Sequence, residues 1–313
     1  MSMRIFLGLL ILIFLYPTGT TYSEKTSCER IVVLNTDALK VLVALGVADR
    51  IVGMVDKKAN LSPSLLKDVP EVGRFDKPNI EVIVNLNPDV VIAYDSWPSR
   101  DLLEDKLSPI GIKVLRIACY KINSLTQDIK ILGRLVGREE RAKEFIVFFQ
   151  RYIGLILERT KGIAQKVKVY QEYSDYCTVS GGSGGDEILR IAGVGNIAAG
   201  FKIPFPEVSA EWVLAKNPDV IIKAPYSGIE VNEDIFRKLI NRPGWSELKA
   251  VKENRVHLIS YEVWAGPKAI IGALYLAKWS YPDIFSDINP EAIHKELLKN
   301  FYNEELKRVY VWP

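Results

Sequence analysis

The chain has 313 residues, 48% of them apolar and 25% charged, with a net charge of +3. That balance excludes a disordered, collagenous or multi-span membrane protein, and the length suffices for two units that each bury a core without disulfide staples. Forty-one Lys and Arg against 38 Asp and Glu leave no basic surplus of the kind that binding to phosphate backbones needs, so nucleic acid is not an expected partner.

The first predicted element is a leader. Arg4 precedes an apolar run over residues 5–16, followed by Pro17 and a small polar stretch ending Thr21, Tyr22, Ser23. This order reads as a secretory signal peptide at 1–23. As a helix the run would extend about 18 Å against a hydrocarbon core of about 30 Å, too short for a membrane span. The expected location is therefore the periplasm or the outer face of the cytoplasmic membrane. Cys28 lies too far past the run for a lipoprotein signal. Three cysteines, Cys28, Cys119 and Cys177, allow at most one bridge, and no pairing is assigned. Only His257 and His294 are present, which argues against a histidine-rich metal site, and no metal or cofactor is expected. Asn60 opens an Asn-Leu-Ser sequon, a hint of a surface loop.

Beyond the leader, strands are predicted over 30–34 and 50–55, with a helix over 37–45 between them, stopped by Gly46. An internal repeat follows. EVIVNLNPDVVI from Glu81 recurs 130 residues later as EWVLAKNPDVII from Glu211, each copy preceded by Pro-Glu-Val at Pro70 and Pro206. In both, a short helix is stopped by Asn-Pro and a buried-type strand begins, at 90–93 in the first copy. A helix over 100–110, a strand over 113–117 and a helix opening at Ser124 complete the first lobe. Residues 139–162 carry Phe145, Phe148, Phe149, Ile153 and Ile156 at helical spacing. They predict one helix of about 24 residues and about 36 Å, a stiff strut between the lobes. The second lobe runs from a strand at 166–172 through one at 256–259 to helices near 267–279 and 290–300. The predicted fold class is α/β, with two similar lobes whose parallel sheets are flanked by helices, joined by one long interlobe helix. The expected divisions are 24–138, 139–164 and 165–313.

A glycine-rich run at 180–185 precedes a helix at Asp186 without the Lys-Ser/Thr ending of a nucleotide loop. Residues 181–185 fit Gly-x-Ser-x-Gly, which leaves Ser183 open as the nucleophile of an exported serine hydrolase.

The strand at 30–34, the Glu-x5-Asn-Pro-Asp block in both lobes, the central helix, and SGGSGGDEILRIAGVGNIA followed by PEVSAEWVLAKNPDVII together resemble the class III substrate-binding proteins of ABC importers. This is the siderophore, haem and cobalamin group with a helical backbone between its lobes. The resemblance spans about residues 28–279. It implies a monomer that is not an enzyme, holds no cofactor, captures a small-molecule metal chelate between its lobes and delivers it to an ABC permease dimer with its ATPase. A ferric siderophore leads that expectation, with cobalamin or haem next. An oxyanion such as molybdate or tungstate in the same fold is an alternative, as are the hydrolase and a scaffold protein with an emptied cleft.

The resemblance also implies one exposed glutamate per lobe that meets permease arginines, at Glu81 and Glu211; a glutamate in a first helical turn is equally ordinary dipole chemistry. Ligand in such a fold lies at the carboxyl ends of the parallel strands. That rule selects Asn35, Thr36, Tyr94, Asp95, Trp97 and Tyr120 in the first lobe, and Tyr173, Tyr226, Tyr261 and Trp264 in the second. Asp37, Ser96, Cys119, Tyr176 and Glu262 stand beside them, with Arg100 and Lys121 close in sequence. Aromatic faces suit a large, partly apolar chelate, and tyrosine hydroxyls suit its polar rim.

Overall fold

The structure, a computed structural model, describes residues 27–55, 66–226 and 228–313. The predicted leader at 1–23 and the sequon at Asn60 lie outside the described residues.

Four strands, β1 (Ile31–Val33), β2 (Ile51–Met54), β3 (Val90–Ala93) and β4 (Lys113–Arg116), form a parallel sheet in the order β2-β1-β3-β4. The second sheet takes β5 (Lys168–Glu172), β6 (Gly195–Asn196), β7 (Val220–Lys223), β8 (Val256–Ile259) and β9 (Val311–Trp312) in the order β6-β5-β7-β8-β9. It is parallel except for β9, which pairs antiparallel with β8. In each sheet the first strand is flanked by the second and third, so the chain leaves it in opposite directions and a crevice opens at its carboxyl end.

The helices are α1 (Thr36–Ala44), α2 (Ile80–Asn85), α3 (Glu104–Leu107), α4 (Ile122–Leu135), α5 (Glu139–Thr160) and α6 (Gly184–Ile191), then α7 (Ala210–Lys216), α8 (Glu233–Ile240), α9 (Lys249–Lys252), α10 (Tyr261–Trp264), α11 (Ala269–Ser280) and α12 (Pro290–Leu297). The helix predicted over 100–110 is instead three short pieces, with 3-10 turns at Arg100–Leu102 and Ser108–Ile110 around α3. Pro109 opens the last turn, and Gly111, at φ 83, closes it in the left-handed region. The strand β9 escapes sequence reading because two residues carry no period.

Strand alternation explains how three cores arise. Ile31, Val33, Val90 and Ile92 on one face of the first sheet, and Val169, Val220 and Ile222 on one face of the second, join a single central cluster with residues of α1, α4, α5, α6 and α11. The opposite faces supply separate outer clusters, with Val32, Leu34 and Val91 in the first lobe and Tyr170, Ile221 and Val256 in the second. The two lobes are thus fused through a shared apolar interior rather than tethered.

The repeat folds as the same unit twice. Asn79 caps α2 and Ser209 caps α7, each side chain accepting a backbone N–H three residues on. After each helix an asparagine takes positive φ one residue before a proline, Asn87 at 44° two residues past α2 and Asn217 at 41° as the cap of α7. Asp89 then accepts from the backbone N–H of Arg30 at 2.9 Å, and Asp219 from that of Lys168 at 2.8 Å, pinning β3 to the start of β1 and β7 to the start of β5.

The 22-residue α5 is splinted along its length by residues 284–301. Arg159 binds Asp287 at 2.5 Å, the Tyr152 hydroxyl donates to Glu296 at 3.2 Å, and Phe145 stacks on Phe301 with centroids 4.6 Å apart. Arg141 closes the near end on the carbonyl of Asn300 and also donates to Ala44 of α1 at 3.2 Å.

Candidate functional site

The loops at the switch-point strands β1, β3, β5 and β7 bring two aromatic groups to the crevice. After β1, Asn35 spends its whole side chain on structure. Its Oδ1 accepts from Asp37 and Ala38 N–H at 3.0 Å, and its Nδ2 donates to the carbonyls of Ile117 at 2.7 Å and Ala118 at 3.1 Å. It therefore ties α1 to the end of β4. Thr36, next in line, shares a 2.8 Å hydrogen bond with the hydroxyl of Tyr94 after β3, and that hydroxyl donates to Asp37 at 3.3 Å. Burial and the Asp37 carboxylate push the Tyr94 phenol well up, so it stays a neutral donor.

Tyr94 lies 5.8 Å from Phe75, edge to face, and 6.0 Å from Tyr120; Phe75 in turn lies 6.0 Å from Trp97. Trp97 is 59% exposed and forms an open rim. Asp95 pairs with Lys121 at 3.1 Å, and the Tyr120 hydroxyl donates to Asp95 at 3.4 Å. Arg116 organises this loop from behind, donating to the carbonyls of Tyr94 at 3.1 Å and Pro98 at 2.6 Å while Glu104 holds its guanidinium at 2.5 Å.

In the second lobe Tyr173, after β5, stacks on Tyr226, after β7, with centroids 5.5 Å apart and planes 17° from parallel. Tyr261, at the start of α10, lies 5.8 Å from Tyr173, and Phe205 lies 6.0 Å from it on another side. Burial pushes the Tyr261 phenol far up, and the further contributors are Tyr173, Asp37, Tyr94 and Tyr226. Tyr261 thus belongs to the second lobe's aromatic group through Tyr173.

The lobes touch on two flanks of this crevice. Lys121, the residue before α4, offers no side-chain cap, and the Asn123 N–H donates instead to Glu187 of α6 at 3.1 Å. Nearby, a Cβ on Gly184 would come 3.2 Å from the Tyr120 carbonyl. On the other flank, a Cβ on Gly266 would meet the Asp37 carboxylate at 2.4 Å. Only glycine admits that approach.

Several expectations change here. Trp264 is fully buried in the central core and, like Asn35, supports the wall instead of lining it. Tyr176 packs against Trp245 under the Arg242 guanidinium, and buried Glu262 pairs with Lys268 at 2.6 Å. Cys119 is buried with its N–H on Asp128, so it does not face the crevice. Ser183 is the cap of α6, accepting from Asp186 N–H at 3.1 Å and donating to the Ser180 carbonyl at 2.8 Å. Both histidines are engaged elsewhere, His257 stacked 4.1 Å from Trp279 and His294 edge-on to Tyr310, so the hydrolase arrangement is not built. Phe75, Phe205 and Arg116 are the residues that sequence reading missed. Arg116 ends a strand that had been assigned; Phe75 and Phe205 sit in loops with no periodic signal.

Among the described residues, no group of three or more His, Cys, Asp or Glu side chains could hold a metal ion. The site's own chemistry is aromatic faces, neutral hydroxyl donors and internally paired charges.

Glu81 and Glu211 are exposed second residues of α2 and α7. Its own backbone N–H, and then the Ser209 hydroxyl, hold the Glu211 carboxyl below its ordinary range.

Residues 31–262 match the family described as periplasmic binding protein. The ABC transporter substrate-binding lipoprotein YvrC of Bacillus subtilis, itself uncharacterized, is 28% identical over 84% of this chain and 83% of its own length. The molybdate-binding protein MolA of Haemophilus influenzae is 25% identical over 89% and 87%. Among solved structures, the TroA-like periplasmic binding protein FepB from Veillonella parvula superposes with a TM-score of 0.76 at 26% identity, covering 93% of this chain and 96% of that one. These relatives are carriers rather than enzymes, which sets the hydrolase reading aside. No helix among the described residues is long and apolar enough to cross a membrane, and the family works outside the cytoplasm. The chain belongs to the periplasmic binding proteins, in their helical-backbone class III, and is a substrate-binding protein of an ABC transporter.

Proposed function

We propose that the crevice carries a metal chelate, a ferric siderophore first and cobalamin or haem next, to an ABC permease dimer that docks on Glu81 and Glu211. The observation that carries this reading is an aromatic group at the strand ends of each lobe, Phe75, Tyr94 and Tyr120 in the first and Tyr173, Tyr226 and Tyr261 in the second. Such walls favour a large ligand with flat apolar faces, and the hydroxyls of Thr36, Tyr94 and Tyr261 address its polar edge. A chelate brings its own metal ligands, which this site does not need to supply. In this reading the protein works as an exported monomer that binds and releases, with no cofactor of its own.

A molybdate or tungstate oxyanion is the second reading. The likeness to MolA favours it.

The test is the melting temperature of residues 24–313 against ferric siderophores, haem, cobalamin and molybdate. A ligand at 100 times its Kd adds about 2.7 kcal/mol, a rise of about 2 to 5 °C at this size. A rise with one chelate class, lost in Tyr94→Ala, is expected. A rise with molybdate alone would overturn the chelate reading in favour of the oxyanion.

A further inference from the structure

Beside the stacked pair Tyr173 and Tyr226, both of which line it, the second lobe holds a cavity of about 360 Å³. Its lining combines the apolar Tyr226, Ile229, Ile235 and Leu239 with the cations Lys223, Lys238 and Arg242, of which Lys223 and Arg242 converge on Glu172.

Those two cations are not ordinary surface charges. Their side chains are 9% and 10% exposed, and both are anchored from the inside by Glu172, which is wholly buried. Lys223 Nζ lies 2.5 Å from Glu172 Oε1, and Arg242 makes a two-pronged contact with the same carboxylate at 2.8 and 2.9 Å. Arg242 is also pinned flat against Tyr176 and Trp245, 4.5 and 4.7 Å from their ring centres. Two positive charges and one negative charge are therefore fixed, leaving a net positive charge to be balanced. The balance comes from Asp175, whose side chain is 76% exposed and which reaches Lys223 at 2.9 Å and Arg242 at 2.6 Å. Lys223 and Arg242 hold the Asp175 carboxyl below its ordinary range, yet three-quarters of its side chain stays in water, which competes for it and weakens its side of the contact. The cations by contrast are preorganised and largely desolvated, a condition under which an incoming carboxylate gains more.

We propose that this cavity is a subsite for an apolar arm ending in a carboxylate, which replaces Asp175 on Lys223 and Arg242. Charge balance is kept in the exchange, because one carboxylate leaves as another arrives. Tyr226 has one face on Tyr173 in the crevice and lines the cavity as well, so a chelate held between the lobes reaches the subsite through a pendant arm. In that respect the subsite rests on the chelate reading, but a fragment tests it separately.

The experiment is a titration of the protein, labelled at isoleucine methyl groups, with hexanoate and with hexan-1-ol. Hexanoate is expected to shift the Ile229 and Ile235 methyls saturably, while the alcohol leaves them unmoved at the same concentration. Asp175→Asn is expected to tighten hexanoate binding severalfold, since it frees the cations without disturbing Glu172. Equal shifts by acid and alcohol, no shift by either, or weaker hexanoate binding in Asp175→Asn overturns the subsite. A chelate that raises the melting temperature while hexanoate is silent overturns the subsite and leaves the crevice reading standing. Hexanoate binding with no response to any chelate supports the subsite and overturns the cargo.

Discussion

Gly266 sits at φ +67 with the Asp37 carboxylate of the other lobe pressed against its α-carbon. Gly266→Ala adds both a left-handed backbone cost and a clash at 2.4 Å, so a loss of about 1 to 3 kcal/mol is expected from urea unfolding. Acid sensitivity follows from two other residues. Burial, with Arg255 nearby, depresses His257 to about 4, and burial with Lys268 nearby depresses His294 to about 3. The unfolded chain protonates both near pH 6.5, so below that it binds more protons than the folded one and stability falls as pH falls. By pH 5 each histidine withdraws about 2 kcal/mol, above the range in which carboxylates matter. His294→Phe should halve the slope of stability against pH between 6.5 and 5; an unchanged slope would refute the assignment. At this scale the sequence was informative about which loops matter and less so about which side chains face out. Thr36 and Tyr94 share a hydrogen bond and Tyr261 packs near Tyr173, whereas Asn35 and Trp264 follow strands of the same sheets and are consumed by the walls. Burial at a strand end depends on what arrives from elsewhere in the chain, which local pattern does not encode.

Among elements, α4 is notable for being capped by a residue of the opposite lobe. Glu187→Ala should cost about 1 kcal/mol and speed hydrogen exchange at the Asn123 amide, while Glu187→Gln, which keeps an acceptor, should not speed it. Equal exchange in the alanine variant and the parent would show that the contact does not hold the lobes. Such a contact joins residues 64 apart and leaves no trace in sequence. Elements defined by strong local signals were legible: β3 and β8 occupy the predicted residues, and α5 begins at Glu139 as expected. The helix predicted over 100–110 breaks at Leu103, before α3, and again at Ser108, where Pro109 opens a 3-10 turn that Gly111 closes.

For the whole molecule, the repeat gives two exposed glutamates equivalent positions on α2 and α7, which a two-fold permease would read as a matched pair. Glu81→Lys with Glu211→Lys should abolish delivery in a reconstituted transport assay while leaving ligand affinity unchanged. Loss of affinity in that variant would sink the docking assignment. The two-lobed fold was legible because the repeated block is visible as letters; the fused interior was not, since it depends on which sheet faces turn toward each other. The splint on α5 has a consequence in time. Its members Asp287, Glu296 and Asn300 lie 128, 144 and 159 residues along the chain from their partners Arg159, Tyr152 and Arg141. The strut therefore gains this support only once the segment from 287 to 301 has emerged and packed against it, and α5 has to form before that with the splint still missing.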